Sequence, residues 1–338
     1  MALKIAINGF GRIGRCVMRI AASRNDVQIV AINDLATIDM ILYLLKNDSV
    51  HGTFKGEVVQ VDENNINIDG KNIRVFNESD PKKLAFAECG ADIVLECTGL
   101  FLTQESAQIH INNGIKKVLF SAPSQDKETA TFVMGVNEYL YAGQNIVSNA
   151  SCTTNCLGLV AKTLDEAFGI EKGLMTTIHS YTNDQNLLDV KHSRDRRRAR
   201  AGAINMIPTT TGAAKALGLV LPQLNGKLHG QSVRVPTPDV SMVDLNVVVR
   251  KKTSVEEVNA LFNEMAATKL KGLLLIDKEM RVSQDFVGCS YSAIVAEDLT
   301  QVIAGDMIKV MAWYDNEWGY STRLLDMALH ISSNKYAK

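Results

Sequence analysis

The sequence predicts an α/β fold in two parts, a first half built on a parallel sheet with flanking helices and a second half with a mostly antiparallel sheet. Short apolar strands alternate with amphipathic helices up to about residue 150, as in a doubly wound sheet. After one further helix, runs of alternating hydrophobicity follow one another with fewer helices between them. At 338 residues the chain is also longer than one ordinary core, so we expect two domains.

The bulk composition is that of a globular protein, and it argues against nucleic-acid-binding, membrane-spanning, disulfide-linked and zinc-binding classes of protein. The net charge of −1 provides no global field that would attract nucleic acid or an anionic membrane. No apolar run reaches the length of a spanning helix, and the start lacks the features of a signal peptide, so we expect a cytoplasmic protein. The six cysteines have no spacing typical of disulfides or zinc ligands, and we therefore expect thiols and no metal site. They are Cys16, Cys89, Cys97, Cys152, Cys156 and Cys289.

A glycine motif joins the first predicted strand, KIAI at residues 4–7, to the first predicted helix. Gly9, Gly11 and Gly14 form G-x-G-x-x-G, in which glycines permit a tight turn, close approach of a pyrophosphate and close helix–strand packing. Glycine-rich turns are common, so the motif alone is weak. A second strand ends at Asp34, where an acid would accept hydrogen bonds from a ribose or simply cap the turn. Together they predict a Rossmann-type dinucleotide-binding domain that favours NAD, because Asp34 repels a 2′-phosphate.

The alternation of strands and helices continues through the first half. Asp69-Gly70 is a two-residue turn signal within the predicted hairpin NINIDGKNIRVF. Later strands end at Thr98-Gly99 and Ser121-Ala122, and small polar residues at these ends suit either an ordinary loop or the ligand-binding edge of a parallel sheet. We predict a dinucleotide-binding domain over residues 1–151 and 317–338, and an α+β catalytic domain over 152–316.

The segment SNASCTTNC, followed by an apolar helical pattern, places Cys152 at a helix start. The free N–H groups and the helix dipole there should lower the thiol pKa, which predicts a nucleophile. Cys156 lies one turn later within the apolar stripe and is predicted to be core. His179 ends the predicted strand LMTTIH; a single histidine is more often structural, but beside an activated thiol it is the candidate base.

Several polar segments after His179 could bind anions. The run KHSRDRRRAR at 191–200 could contact nucleic acid, but the neutral total charge and sparse aromatic residues argue against it. Most of its arginines are expected on a solvated face or a subunit contact, and one or two could bind a phosphate. Thr209–Thr211 and Gly212 precede a predicted helix, which is a natural anion site. Arg234 lies beside a rigid Pro-x-Pro turn.

Seven segments, in this order and at these intervals, resemble phosphorylating glyceraldehyde-3-phosphate dehydrogenase. The similarity runs from Lys4 to about Ser332. The segments are NGFGRIGR, SNASCTTNC, HSYTNDQ, RRARA, IPTTTGAAKA, RVPTP and WYDNEWGY. This resemblance implies NAD-dependent oxidation of glyceraldehyde 3-phosphate, consumption of inorganic phosphate, and a homotetramer in which the basic loop packs against a neighbouring subunit's cofactor site.

The resemblance also implies a role for each matching position. Cys152 resembles the nucleophile that attacks the aldehyde, and His179 the general base, which with the Cys152 N–H stabilises the oxyanion. Positions similar to the site of the substrate's C3 phosphate are Thr182, Asp184 and Arg234. Positions similar to the inorganic phosphate site are Ser151, Thr153, Arg198, Thr211 and Gly212. Positions that match cofactor contacts are Arg12, Ile13, Asp34, Ser121 and Asn316, the last fixing the nicotinamide carboxamide.

The chain departs from the usual family pattern near the adenosine. Ser79 stands where many members carry a basic residue, and Val190-Lys191 stands where NAD-preferring members often have Leu-Pro. A lysine near the ribose would offset the repulsion from Asp34, which predicts weak use of NADP beside NAD.

Three other functions remain open on the sequence. Erythrose-4-phosphate dehydrogenase shares the fold but hydrolyses its thioester. A thiol acyltransferase or hydrolase would use Cys152 and His179 but leave the glycine motif without a purpose. A nucleic-acid or partner-binding protein would act through the arginine-rich segment.

Overall fold

The computed structural model describes residues 2–193 and 195–333, which form two compact units. The first unit comprises Met1–Met134, Glu138–Ala150 and Ser321–Lys338, and the second comprises Gly135–Asn137 and Ser151–Tyr320. None of the helices in these described ranges is long and apolar enough to cross a membrane.

The first unit is built on a nine-stranded sheet. Its strands are β1 (Leu3–Asn8), β2 (Val27–Asn33), β3 (Val58–Gln60), β4 (Asn65–Ile68), β5 (Lys71–Phe76), β6 (Ile93–Glu96), β7 (Lys117–Phe120), β8 (Ala130–Thr131) and β9 (Ile146–Ser148). The order is β3-β4-β5-β2-β1-β6-β7-β9-β8, and all pairs from β5 to β8 are parallel. The chain reverses its direction of growth between β1 and β6, where ligands bind in such sheets.

Three helices follow strands of this sheet: α1 (Arg12–Ala22), α2 (Ile38–Lys46) and α3 (Gln104–Asn112). The central strands are buried on both faces, which explains their continuous runs of β-branched and aliphatic residues. The hairpin between β4 and β5 turns through Asp69 (φ 49°) and Gly70 (φ 79°), as their order in the sequence predicts.

The second unit has an eight-stranded sheet whose pairs are mostly antiparallel. Its strands are β10 (Ile170–Ser180), β11 (Ile207–Thr210), β12 (Leu228–Val235), β13 (Ser241–Val249), β14 (Leu274–Asp277), β15 (Ala293–Ala296), β16 (Gln301–Ile303) and β17 (Met307–Tyr314). Only β10/β12 and β14/β15 are parallel among the pairs of the described strands. The predicted fold class, a Rossmann-type domain plus an α+β domain, is confirmed.

Four helices complete the chain: α4 (Cys152–Phe168), α5 (Ala213–Val220), α6 (Val255–Ala267) and α7 (Trp318–Ile331). The helix α4 ends at Gly169, whose φ of 73° favours glycine. The helix α7 begins at Trp318, about one turn before the amphipathic segment STRLLDMALHIS that predicts a helix from Ser321. The Asp315 carboxylate accepts the N–H groups of Glu317 and Trp318 at 2.9 and 2.5 Å, and so caps the extra turn.

Candidate active site

The glycine turn between β1 and α1 has the shape that a pyrophosphate requires. Gly9 has φ 93°, and a Cβ there would lie 2.7 Å from the Thr98 nitrogen; a Cβ on Gly14 would lie 2.4 Å from the Gly9 carbonyl oxygen. A Cβ on Gly11 would meet nothing within 4 Å, so it would enter the space that a ligand would occupy. Since Gly11 provides no side-chain cap for α1, the first N–H groups of that helix face the same space. The residues present therefore fit a dinucleotide.

Asp34 closes this turn from the end of β2. Its Oδ2 accepts the Phe10 N–H at 2.7 Å and its Oδ1 accepts the Ala36 N–H at 2.9 Å, so Asp34 caps the turn. Each oxygen retains a lone pair, and Asp34 can therefore also accept a hydrogen bond from a ribose. Arg12 forms an ion pair with Asp48 at 2.6 Å. The next residue, Ile13, is half-buried in the first turn of α1.

A buried carboxylate that sequence reasoning missed lies behind the turn. Glu96, at the end of β6, is fully buried and accepts the Asn8 side-chain amide at 2.7 Å, the Thr98 N–H at 2.9 Å and the Thr98 hydroxyl. The Ser121 hydroxyl donates to the Glu96 carbonyl at 3.0 Å. The sequence does contain a signal for Glu96, namely an acidic residue within the otherwise apolar strand ADIVLE. An acid in a buried strand requires several hydrogen-bond donors around it.

In the second unit, Cys152 is the first residue of α4. The preceding Ser151 is the N-cap, and its hydroxyl accepts the Thr154 N–H at 3.1 Å. Ala150 has φ 57°, a strained value for a residue with a Cβ, and it turns the chain directly into the helix. The Cys152 Sγ lies 3.6 Å from Nε2 of His179, so the two candidate residues predicted from the sequence are in contact.

The prediction of a lowered thiol pKa is wrong for this state of the molecule. Burial raises the pKa of Cys152, and the Arg234 charge and the Thr153 N–H lower it by less than burial raises it. The helix N-terminus acts as expected, but the sequence could not indicate how much water the surrounding chain removes from the sulfur. Cys156, one turn further on, is fully buried, as predicted.

His179 ends β10 beside Arg234 of the parallel strand β12. Burial, and then the Arg234 charge, lower the pKa of His179 to about 3, so the imidazole is neutral at physiological pH. Its Nδ1 lies 2.8 Å from the Ser180 carbonyl oxygen and 3.0 Å from Arg234 Nη1. Arg234 Nη1 donates to the same Ser180 carbonyl oxygen at 3.1 Å. If Nδ1 donates to the carbonyl, Nε2 presents a lone pair to the thiol.

Tyr314, which was not identified from the sequence, packs against His179 and is hydrogen-bonded to the residue that follows Cys152. Its hydroxyl is hydrogen-bonded to the hydroxyls of Thr153 at 2.9 Å and Thr177 at 2.8 Å, and its ring packs edge-on against His179 with centroids 6.0 Å apart. The Thr153 hydroxyl is thereby directed into the core. A role for Thr153 at a phosphate would have to use its backbone N–H.

Two of the other predicted anion-binding residues, Asp184 and Arg198, line a cavity of about 600 Å³ in the second unit. Arg198 forms an ion pair with Asp184 and donates to the Thr210 carbonyl at 3.2 Å. Burial alone would raise the pKa of Asp184, but Arg198 holds it below its usual value. The full lining of the cavity is Asp184, His192, Ser193, Asp195, Arg198 and Thr210.

The remaining predicted residues lie on other segments of the second unit. Thr182 is exposed, and its N–H donates to Gln185 at 3.0 Å. Thr211 and Gly212 precede α5, where Gly212 provides no side-chain cap. The Nε of Arg234 is buried and makes no hydrogen bond to the part of the chain that the structure describes. Asn316 lies beyond β17, with its side-chain oxygen bonded to Ser180 and Ser241.

Comparison with known proteins gives one family for both halves of the chain. Residues 3–104 match the model described as glyceraldehyde 3-phosphate dehydrogenase, NAD binding domain, and residues 151–316 match the C-terminal domain of the same family. The chain is 53% identical over 332 residues to glyceraldehyde-3-phosphate dehydrogenase 1 of Bacillus cereus, covering 98% of both chains. It is 52% identical to the enzyme of that name from Geobacillus stearothermophilus, covering 98% of this chain and 99% of the relative. A chloroplastic form B from Pisum sativum is also 52% identical, covering 99% of this chain and 75% of the relative.

Proposed function

The chain belongs to the glyceraldehyde-3-phosphate dehydrogenase family and carries its NAD-binding domain, and from this premise we propose a covalent mechanism centred on Cys152. The reaction is the oxidation of glyceraldehyde 3-phosphate by NAD, with inorganic phosphate, to 1,3-bisphosphoglycerate. The observation that carries the mechanism is the 3.6 Å contact between the Cys152 sulfur and a neutral imidazole.

The first step forms the nucleophile. His179 Nε2 takes the thiol proton, and the Arg234 charge favours the thiolate that results, since it lowers the pKa of Cys152. Burial opposes this ionisation, so the thiol remains largely protonated until a substrate arrives. The thiolate then forms a carbon–sulfur bond to the aldehyde carbon, and the imidazolium and the Cys152 N–H stabilise the negative oxygen of the thiohemiacetal.

The second half of the reaction conserves the energy of the oxidation. The oxidation that turns the thiohemiacetal into a thioester is the chemistry that bound NAD supplies, as a two-electron acceptor. The oxygen of an inorganic phosphate then attacks the thioester carbon, the carbon–sulfur bond breaks, and the Cys152 thiolate leaves. Arg198 and the start of α5, where Gly212 offers no side-chain cap, are suited to hold that phosphate close to the thioester.

Arg234 is the strongest candidate for the C3 phosphate of the substrate. Its guanidinium is fixed by the Ser180 carbonyl, and its buried Nε has no partner among the described residues, so a donor is held ready for an anion. Thr182 and Asp184 complete this proposed site. The carboxylate of Asp184 acts through Arg198, because a carboxylate in direct contact with a phosphate would repel it.

The test is the reduction of NAD with glyceraldehyde 3-phosphate, measured with and without inorganic phosphate. We expect steady turnover with phosphate, and without it a single burst of NADH of about one equivalent per Cys152. The variant Cys152→Ser should lose both phases. Steady turnover of the parent without phosphate would indicate hydrolysis of the thioester and contradict the phosphorylating mechanism.

We propose a homotetramer on the basis of the loop between β10 and β11. It exposes large apolar side chains, among them Leu187 and Ile204 with 82% and 79% of their surface accessible. Exposed apolar residues of this size on adjacent segments are typical of subunit contacts. Light scattering should give four times the 37.0 kDa chain mass; a monomer at micromolar concentration would contradict the proposal.

Three further proposals follow from the sequence. The functional domains are 1–151 with 317–338 and 152–316, and the protein acts in the cytoplasm. Lys191, which lies in an exposed segment, permits weak turnover with NADP despite Asp34. Kinetics without measurable NADP turnover would refute the last proposal, and recovery of the chain in a secreted or organellar fraction would refute cytoplasmic location.

A further inference from the structure

The side-chain amide of Asn316 is held by two buried serines of neighbouring strands. The Ser180 hydroxyl donates to Asn316 Oδ1 at 2.9 Å and the Ser241 hydroxyl donates to the same oxygen at 2.7 Å. Ser180 and Ser241 are 0% and 1% exposed, and Asn316 is 7% exposed. Water therefore cannot replace these bonds without opening the site, and the amide oxygen is fully used by the protein itself.

The hydrogen bonds around Asn316 favour one orientation of its amide. The Ser180 N–H donates to Ser241 Oγ at 3.1 Å, which uses one lone pair of that oxygen and leaves the Ser241 hydrogen available for Asn316 at 2.7 Å. The other acceptor near Ser241 is Ser180 Oγ, at 3.4 Å. Rotating the Asn316 amide by half a turn would make its NH₂ group the donor to both hydroxyl oxygens, so the two hydroxyl hydrogens would lose Oδ1 as their acceptor. The Ser241–Ser180 contact could then use only one of the two hydroxyl hydrogens, and the other would be buried without an acceptor among the described residues, which selects one amide orientation.

In the orientation that the serines select, Asn316 offers only donors to a ligand. Its Nδ2 makes no hydrogen bond to any residue within 2–193 or 195–333. An NH₂ group in this position can bind a carbonyl or carboxylate oxygen, but it cannot bind an N–H group. The subsite is therefore specific for an acceptor atom.

A strained residue lies immediately before Ser241 and is a second, independent observation. Val240 has φ 63°, which a β-branched side chain rarely adopts, and it is 2% exposed within a cluster with Phe286 and Ile294. Such a conformation is unfavourable and persists only where the surroundings determine it. The strain is located where the chain must present the Ser241 hydroxyl to Asn316.

We propose that Ser180 and Ser241 are positioning residues that orient the Asn316 amide, so that this subsite accepts only a hydrogen-bond acceptor at the 3-position of the pyridine ring of the cofactor. The inference rests on the proposed function, in which Asn316 contacts the nicotinamide carboxamide. It adds the reason why the carbonyl oxygen, and not the NH₂ group, of that carboxamide is bound there.

Binding measurements test this inference without relying on turnover. Dissociation constants by titration calorimetry compare NAD with 3-acetylpyridine adenine dinucleotide, which keeps the carbonyl oxygen but lacks the NH₂ group, and with pyridine adenine dinucleotide, which lacks both. ADP-ribose, which lacks the ring, reports the rest of the site. In the parent, the two carbonyl-bearing dinucleotides should bind about tenfold more tightly than the pyridine dinucleotide, the size of one or two net hydrogen bonds.

The serine variants should reduce that preference selectively. In Ser180→Ala and in Ser241→Ala we expect the preference for the carbonyl to fall about threefold, and in the double variant to disappear, while ADP-ribose binds within twofold of the parent. The single variants decide the outcome even if the double variant is unstable in a thermal melt. The matched control is Ser232→Ala, which removes a buried hydroxyl of β12 and should leave the preference unchanged.

Two outcomes separate this inference from the proposed function. If the parent prefers the carbonyl-bearing dinucleotides and every serine variant keeps the full preference, or loses ADP-ribose affinity equally, the positioning role is wrong and the proposed function stands. If the parent binds NAD no more tightly than ADP-ribose, the contact between Asn316 and the carboxamide is itself wrong, and with it the inference.

Discussion

Removing the charge of Arg234 should raise the pKa of Cys152. The change is Arg234→Gln, which removes the charge and keeps a shorter side chain with a hydrogen-bond donor. Arg234 is the largest influence that favours the thiolate, against the burial that disfavours it. The neighbouring imidazole does not compensate, because burial is the main reason why the pKa of His179 is about 3, and His179 stays neutral in the variant.

The size of the effect follows from the distance between the two charges. One imidazole ring separates them, with Arg234 Nη1 3.0 Å from Nδ1 and the sulfur 3.6 Å from Nε2. A separation of roughly 8 Å with an effective dielectric constant of about 20 corresponds to about 2 kcal/mol. A change of that size in the free energy of ionisation lowers the thiolate fraction about thirtyfold. A more basic thiolate is also a better nucleophile, which partly offsets the smaller thiolate fraction. The alkylation rate at pH 7 should therefore fall only about five- to tenfold.

The assay is the pH dependence of alkylation by iodoacetamide, followed at Cys152 by mass spectrometry. The reagent is neutral, so its encounter with the site does not depend on the charge of Arg234. The midpoint of the rate profile gives the thiol pKa directly. Arg198→Gln is the matched control; because Asp184 already pairs with that arginine, its removal should shift the midpoint by less than half as much. A midpoint in Arg234→Gln equal to or below that of the parent would refute the electrostatic reasoning.

Four other variants test the fold around the site. Gly14→Ala places a Cβ 2.4 Å from a carbonyl oxygen and should lower the melting temperature. In Gly11→Ala the added Cβ meets open space, so this variant should weaken NAD binding in calorimetry without lowering the melting temperature. Equal effects of the two variants on melting temperature and on NAD binding would contradict the assignment of this turn to the cofactor. The Arg12 ion pair and backbone N–H groups outweigh burial and lower the pKa of Asp48 to about 2. The stability this contributes, about 2 kcal/mol, is present above the unfolded pKa and is lost as the pH falls through about 2. In urea unfolding, Asp48→Asn should therefore be less stable at pH 7 and converge with the parent near pH 2; a constant difference would contradict the assignment. Tyr314→Phe leaves two buried threonine hydroxyls without their partner and should cost about 1–3 kcal/mol in the same experiment; no loss would show that water replaces the phenol.

The fold was largely predictable because its signals are local. The G-x-G-x-x-G turn, the Asp69-Gly70 hairpin and the glycine that ends α4 each depend on backbone conformations available mainly to particular residues. The start of α7 was misplaced by one turn, since the group that caps it, Asp315, lies outside the apolar period that indicated the helix.

The candidate site was only partly predictable. Cys152 and His179 are conspicuous in the sequence, since one begins a helix and the other ends a strand, and the structure brings them into contact. Tyr314 gave no such signal, because it lies within an apolar strand pattern and its partners are far away in the chain. The pKa of Cys152 was predicted with the wrong sign for the same reason: the helix dipole is local, but desolvation depends on every segment that packs around the sulfur.

The sequence by itself determined the two-part fold and the dinucleotide turn, and it identified Cys152 and His179 as the candidate pair, because each of these signals comes from residues close together in the chain. Only the tertiary structure decided the charge state of the thiol, the neutrality of the imidazole and the orientation of the Asn316 amide. These depend on burial and on hydrogen bonds between residues as far apart as 180 and 316. Such contacts form only when the strands pack, and they leave no periodicity in the chain.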